Sequence, residues 1–170
     1  TLAVAAMLAC QASAQNPVKW DEVAFSKMSP DGNWLIENLQ GSLNVLDRST
    51  GNTYSCSDPD GLAMYMPGLG LCTTNSGTIV GMAENYASVW KNGTWTHLPQ
   101  ATGVETSYNS ANAITPDESR IVGILGNDGA SMQGQNADMM AYPVVWTKNS
   151  KGEYDCTKLP CPDKDFAGLV

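Results

Sequence analysis

The chain has 170 residues, 42% hydrophobic and 15% charged, with 16 Gly and a formal net charge of −8. This composition excludes a disordered chain, and the scarcity of Lys, Glu and Arg excludes a coiled coil. The acidic excess excludes the basic patch that a phosphate backbone requires, so no nucleic-acid partner is expected.

Thr1 to Ala14 read TLAVAAMLACQASA, an uncharged apolar run ending in the small-x-small pattern Ala12-Ser13-Ala14. This predicts the apolar and cleavage parts of a secretory signal peptide over 1–14, with the sequence starting inside the signal because no basic leader precedes it. An exported chain, periplasmic or extracellular, follows from that reading. Met7-Leu8-Ala9-Cys10 is a poor lipobox, so lipid anchoring through Cys10 is the lesser alternative. No later stretch reaches the roughly 18 apolar residues of a membrane helix, so no transmembrane segment is expected.

Beyond the signal the sequence repeats. Three turns, Ser29-Pro30-Asp31-Gly32, Thr74-Asn75-Ser76-Gly77 and Thr115-Pro116-Asp117-Glu118, begin at comparable intervals. Pro presets φ at the second turn position, Asp at the third bonds its neighbouring backbone, and Gly at the fourth relieves the exit. Each turn follows a strand of mostly small residues: Val23 to Met28, Leu69 to Thr73, and Ala111 to Ile114. Each precedes an apolar strand: Trp34-Leu35-Ile36, Ile79-Val80-Gly81 and Ile121-Val122-Gly123. A third strand comes next, at Leu43 to Leu46, Ala87 to Trp90 and Pro143 to Trp146. Polar hairpin turns at Ser49 to Asn52, Lys91 to Gly93 and Asn149 to Gly152 lead into a fourth, at Thr53 to Cys56, Thr94 to Leu98 and Tyr154 to Leu159. The units span approximately 22–57, 68–99 and 110–160, and Asp165 to Val170 reads as the first strand of another. Four short strands in about 40–56 residues is the pattern of a β-propeller blade, with the small-residue strand innermost. An all-β fold of four-stranded antiparallel blades is therefore predicted, about three blades and the start of a fourth over 15–170. A ring needs roughly four to eight blades, so such an arc would leave apolar blade faces open.

Ser88-Val89-Trp90-Lys91-Asn92-Gly93-Thr94-Trp95-Thr96-His97-Leu98-Pro99 and Ala113-Ile114-Thr115-Pro116-Asp117-Glu118-Ser119-Arg120-Ile121-Val122-Gly123 resemble the HAF-type extracellular repeat. That repeat alternates a W-x-x-G-x-x-x-x-L hairpin with an A-I-(N/T)-x-x-G-x-I-V-G turn and strand. Glu118 departs from it by replacing the turn Gly, and the third hairpin is longer. The first unit, Ser29 to Leu35 with Val45 to Gly51, is similar instead to WD-like repeats of periplasmic TolB-type proteins and of exported prolyl-oligopeptidase-type peptidases. These resemblances imply an exported bacterial propeller, and neither repeat brings catalytic residues of its own.

Without Cys10, the cysteines are Cys56, Cys72, Cys156 and Cys161, which allow three connectivities. The pairs nearest in sequence, Cys56–Cys72 and Cys156–Cys161, are expected as disulfides. No Cys-x-x-Cys occurs and His97 is the single His, so neither a metal site nor another cofactor is expected. His97, between Trp95 and Leu98, reads as a surface residue, and no Gly-x-Ser-x-Gly elbow exists. Asp58-Pro59-Asp60-Gly61 reads as a plain turn and Asn92-Gly93-Thr94 as a hairpin tip. The long insertion from Gly126 to Ala141 stands out. Its Asp128, Gln133, Gln135, Asn136 and Asp138 suit a polar ligand such as a glycan, beside the adaptable Met132, Met139 and Met140. Tyr65, in the irregular stretch Leu62 to Gly70, is the remaining candidate contact. The expected function is a non-catalytic binding or scaffold module whose partner is a glycan or a protein at the cell envelope. The alternative is the propeller of a longer exported hydrolase, a prolyl-oligopeptidase-type peptidase or a glycan-processing enzyme, whose catalytic domain lies outside these residues.

Overall fold

The computed structural model describes residues 25–39, 42–57, 68–104, 108–126 and 141–160. Among them, twelve strands form three antiparallel sheets of four. The first sheet holds β1 (Lys27–Met28), β2 (Trp34–Leu39), β3 (Ser42–Asp47) and β4 (Asn52–Ser57). The second holds β5 (Leu69–Thr73), β6 (Ile79–Ala83), β7 (Tyr86–Lys91) and β8 (Thr94–His97). The third holds β9 (Tyr108–Ile114), β10 (Arg120–Gly126), β11 (Ala141–Lys148) and β12 (Tyr154–Lys158). Strands pair in chain order in every sheet, so the all-β, four-strands-per-unit expectation holds. No described helix is long and apolar enough to cross a membrane.

The three turns are built alike. The first residue's carbonyl accepts from the N–H of the fourth: Gly32 to Ser29 at 2.9 Å, Gly77 to Thr74 at 3.1 Å, Glu118 to Thr115 at 2.9 Å. The N–H of Ser29, Thr74 and Thr115 donates to the carbonyl of Trp34, Thr78 and Arg120 respectively. That bond fixes the equivalence of the units. Leu35, Ile79 and Ile121 occupy one position, and Ile36, Val80 and Val122 the next. Alternation along a strand then gives each sheet two unlike faces. One face carries the cross-strand pairs Ile79–Trp90 and Ile121–Trp146. The other carries Ile36–Val45, Val80–Val89 and Val122–Val145.

Packing joins the second face of one sheet to the first face of the next. Ile36, Leu43 and Val45 pack on Ile79 and Trp90. Val80, Ala87 and Leu98 pack on Ala111, Ile121, Val144 and Trp146. Burying such side chains contributes about 2 kcal/mol each. The leading strand of each sheet carries the contact: β5 lies against β1, β2 and β3, and β9 against β5, β6 and β7.

A second shared feature is hidden in the sequence. Both β5 and β9 bulge, between Gly70 and Cys72 opposite Gly81 and Val80, and between Ala111 and Ala113 opposite Gly123 and Val122. A bulge tips a backbone carbonyl toward the neighbouring strand. A Cβ on Gly81 would sit 1.7 Å from the Leu69 carbonyl oxygen, and one on Gly123 2.0 Å from that of Ser110. Gly is needed there for close backbone approach. The Ile-Val-Gly strands therefore mark the bulges.

The expected Cys56–Cys72 and Cys156–Cys161 disulfides find no support among the described residues; Cys161 lies outside them, and Cys72 and Cys156 carry free thiols. Both pack against the apolar cluster between the second and third sheets, where they serve as small core residues. Burial pushes the Cys156 thiol up to about 11. The predicted strand at 165–170 lies outside the described residues.

Candidate functional site

The turns form a polar seam from sheet to sheet. The Asp31 N–H donates to Asn75 Oδ1 at 3.0 Å, joining the first turn to the second. Trp34 closes over Gly77, where an added Cβ would lie 2.3 Å from the indole. Deeper in, Asn38 grips the backbone of Gly70 at both ends, donating to its carbonyl at 2.7 Å and accepting from its N–H at 2.9 Å.

The second and third turns meet at Glu118. Its φ is +58°, a left-handed conformation that costs a non-glycine residue about 1–2 kcal/mol. In return its carboxylate reaches across to the second sheet. It accepts from the hydroxyls of Ser76, of Thr78 at 2.6 Å and of Thr74 at 3.4 Å. Lys91 at 3.5 Å and Lys148 at 3.6 Å complete the cluster, and the Glu118 side chain is only 15% exposed. Burial opposes its ionisation. The Ser76 and Thr78 hydroxyls and the two ammonium groups outweigh that, holding the carboxyl at about 2. The departure from the turn glycine thus has a physical use as an inter-sheet clamp. Asp117 beside it is also held at about 2, by the Thr115 hydroxyl and then by Ser119. Those bonds stay within its own turn, and Asp31 makes the same ones with Ser29 and Asn33.

The outer strands of the second and third sheets diverge to leave a cleft of about 400 Å³. One wall is Val89, Thr96, His97, Leu98 and Pro99, and the other is Gly152, Glu153 and Tyr154. This lies within the usual size of small-ligand pockets, about 300–1,000 Å³. Tyr154 is fixed in place, its hydroxyl donating to the Glu118 carbonyl at 2.7 Å. Burial, with the charges of Glu118 and Asp117, pushes its phenol up to about 12, so it remains a donor. His97 stacks on Tyr86 with ring centroids 4.8 Å apart and planes at 24°. Its Nε2 lies 3.8 Å from Glu84 Oε2, an ion-pair separation too long for a hydrogen bond. Glu84 and Asn85, at φ +51° and +67°, form the tight hairpin that brings Tyr86 beside His97. The cleft is lined by the rings of His97 and Tyr154, by apolar Val89, Leu98 and Pro99, and by Glu153.

Sequence reading placed His97 on the surface, and its side chain is 44% exposed. Glu153 and Tyr154 escape a sequence reading because they come from another unit, whereas Glu84 and Tyr86 lie in the unit of His97 itself. A hairpin signal at Glu84-Asn85 was available. The ligand candidates Asp128, Gln133, Gln135, Asn136, Asp138 and Tyr65 all lie outside the described residues. No group of three or more His, Cys, Asp and Glu among the described residues is arranged to hold a metal ion.

No protein-family model matches the chain, and no curated protein matches it.

Proposed function

We propose that the chain is an arc of an exported β-propeller serving as a non-catalytic binding or scaffold module. One observation carries the propeller reading. The same interface, second face on first face with a bulged leading strand, occurs between both adjacent sheet pairs. Repetition of one relation between four-stranded antiparallel sheets supports a reading as blades about an axis. The resemblance of Ser88 to Pro99 and of Ala113 to Gly123 to HAF-type repeats supports the same reading and motivates the exported setting. So does the signal-like run Thr1 to Ala14. The ligand class we favour is a glycan. Rings stack on exposed aromatic pairs such as Tyr86–His97, and Asp128, Gln133, Gln135, Asn136, Asp138 and Tyr65 supply polar contacts from the long connections.

A glycan array probed with the purified chain tests this. Retention of one glycan class is expected. Deleting residues 129–138 is expected to abolish retention with the far-ultraviolet circular dichroism unchanged. Absence of retention, or hydrolysis of the retained glycan by the chain alone, would overturn the non-catalytic binding reading.

A further inference from the structure

The equivalence of the three units singles out one surface. In the first and second sheets, the second face is sealed by the sheet that follows: Ile36 and Val80 are both 0% exposed. The same position in the third sheet is Val122, which is 45% exposed. Its cross-strand partner Val145 and its neighbour Ile124 are half-buried. The face continues past the strands. The Leu98 N–H donates to the Ala87 carbonyl, and the Leu159 N–H donates to the Pro143 carbonyl, at 2.8 Å in each case. Leu159 is thus the counterpart of Leu98, yet it is 37% exposed where Leu98 is 7% exposed. Pro follows both leucines. The Pro99 carbonyl accepts the indole N–H of Trp146 from the sheet that covers it, at 2.7 Å. Pro160 stands in the same place in the repeat.

An exposed hydrophobic face marks an interaction site, and the counterparts of this one are sealed in both preceding sheets by one repeated interface. We propose that the Val122–Val145 face is the seat of a further four-stranded antiparallel sheet of this same repeat. The incoming sheet lays an aliphatic–tryptophan cross-strand pair, the chemistry of Ile121–Trp146, on Val122, Val145 and Leu159. Its indole N–H donates to the Pro160 carbonyl. The occupant is defined by that pair and by a bulged leading strand with glycine opposite. The inference deepens the scaffold reading and rests on it. Glycan retention without docking, or docking without glycan retention, tells the two failures apart.

The test inserts a second copy of residues 100–160 between Pro160 and Cys161 of the full chain, which preserves the Leu-Pro junction. V122C is made in the parent and in the extended chain, and the labelling rate of the introduced thiol is followed by mass spectrometry. At least a tenfold fall in that rate is expected in the extended chain, with a proportionate gain in β circular dichroism. Val122→Lys is expected to leave the parent folded but to restore proteolytic sensitivity to the inserted copy. An unchanged labelling rate overturns the proposal. So does an inserted copy that stays unfolded on a folded parent. A parent that sediments as a dimer split by Val122→Lys also overturns it, by showing that a second copy covers the face instead.

Discussion

Glu118 gives the sharpest test of how the sheets are joined. Its carboxyl is held at about 2 against an ordinary 4.5. At about 1.36 kcal/mol per pH unit, that difference caps its contribution at about 3 kcal/mol. Lys91 is half exposed and Lys148 one-third exposed, so solvent screening reduces the ion-pair share and leaves about 2 kcal/mol. Glu118→Ala is expected to lose this amount at pH 7 while keeping the left-handed backbone. Glu118→Gly loses the same contacts but relieves about 1 kcal/mol of backbone cost, so it should fall only about 1 kcal/mol below wild type. Urea unfolding followed by tryptophan fluorescence measures both, with an unchanged slope. The pH dependence has a definite sign. A carboxyl depressed in the folded state stabilises above pH 4.5, and the contribution is lost as pH falls from there through about 2. The gap between wild type and Glu118→Ala must therefore narrow between pH 5 and pH 3. A gap under about 0.5 kcal/mol at pH 7, or one that stays constant with pH, refutes the clamp.

Gly81→Ala and Gly123→Ala each force a Cβ into a backbone carbonyl and should cost about 3 kcal/mol or more by urea denaturation; tolerance of either substitution contradicts the bulge geometry. Asn38→Ala leaves both backbone groups of Gly70 unpaired between sheets and should cost about 2–3 kcal/mol, read the same way. Asn109 is buried with neither amide atom hydrogen-bonded, so Asn109→Leu should raise stability by about 1 kcal/mol, and a loss of stability argues against that unpaired state. In the native protein at pH 8 the Cys156 thiol, pushed up to about 11, should alkylate at least tenfold more slowly than after denaturation; equal rates by mass spectrometry contradict its burial.

The repeat was legible because turn chemistry is local. Pro30, Asp31 and Gly32, Gly77 in the second turn, and Pro116 and Asp117 in the third set φ or bond their own backbone, whatever the rest of the chain does. The strands after them were legible for the same reason, through short β-branched runs between turn residues. Glu118 was visible as a departure from the pattern, but its use was not, since Ser76, Thr78, Lys91 and Lys148 come from strands and turns far away in sequence. The bulges were missed although Gly81 and Gly123 mark them, because a glycine in a strand does not say which carbonyl it faces. The cysteine spacing did not reveal where the thiols lie. Sequence spacing reports loop length, whereas the folded sheets place Cys72 and Cys156 in an apolar cluster. The cleft could not be assembled from local signals, because His97 and Tyr154 face one cleft only once two sheets have packed.

In all three sheets each strand is hydrogen-bonded only to the strands that precede and follow it in the chain. Among the described residues no strand waits for a distant partner, so little loop-closure entropy opposes the pairing of each sheet. Assembly can run in the order of synthesis. A finished sheet presents the aliphatic face on which the leading strand of the next one settles, as β5 does on β1 to β3 and β9 on β5 to β7. The route to the native state is then stepwise growth from a template. A lesion in an early unit, such as Gly81→Ala, should delay every sheet after it, and one in a late unit should leave the earlier sheets intact.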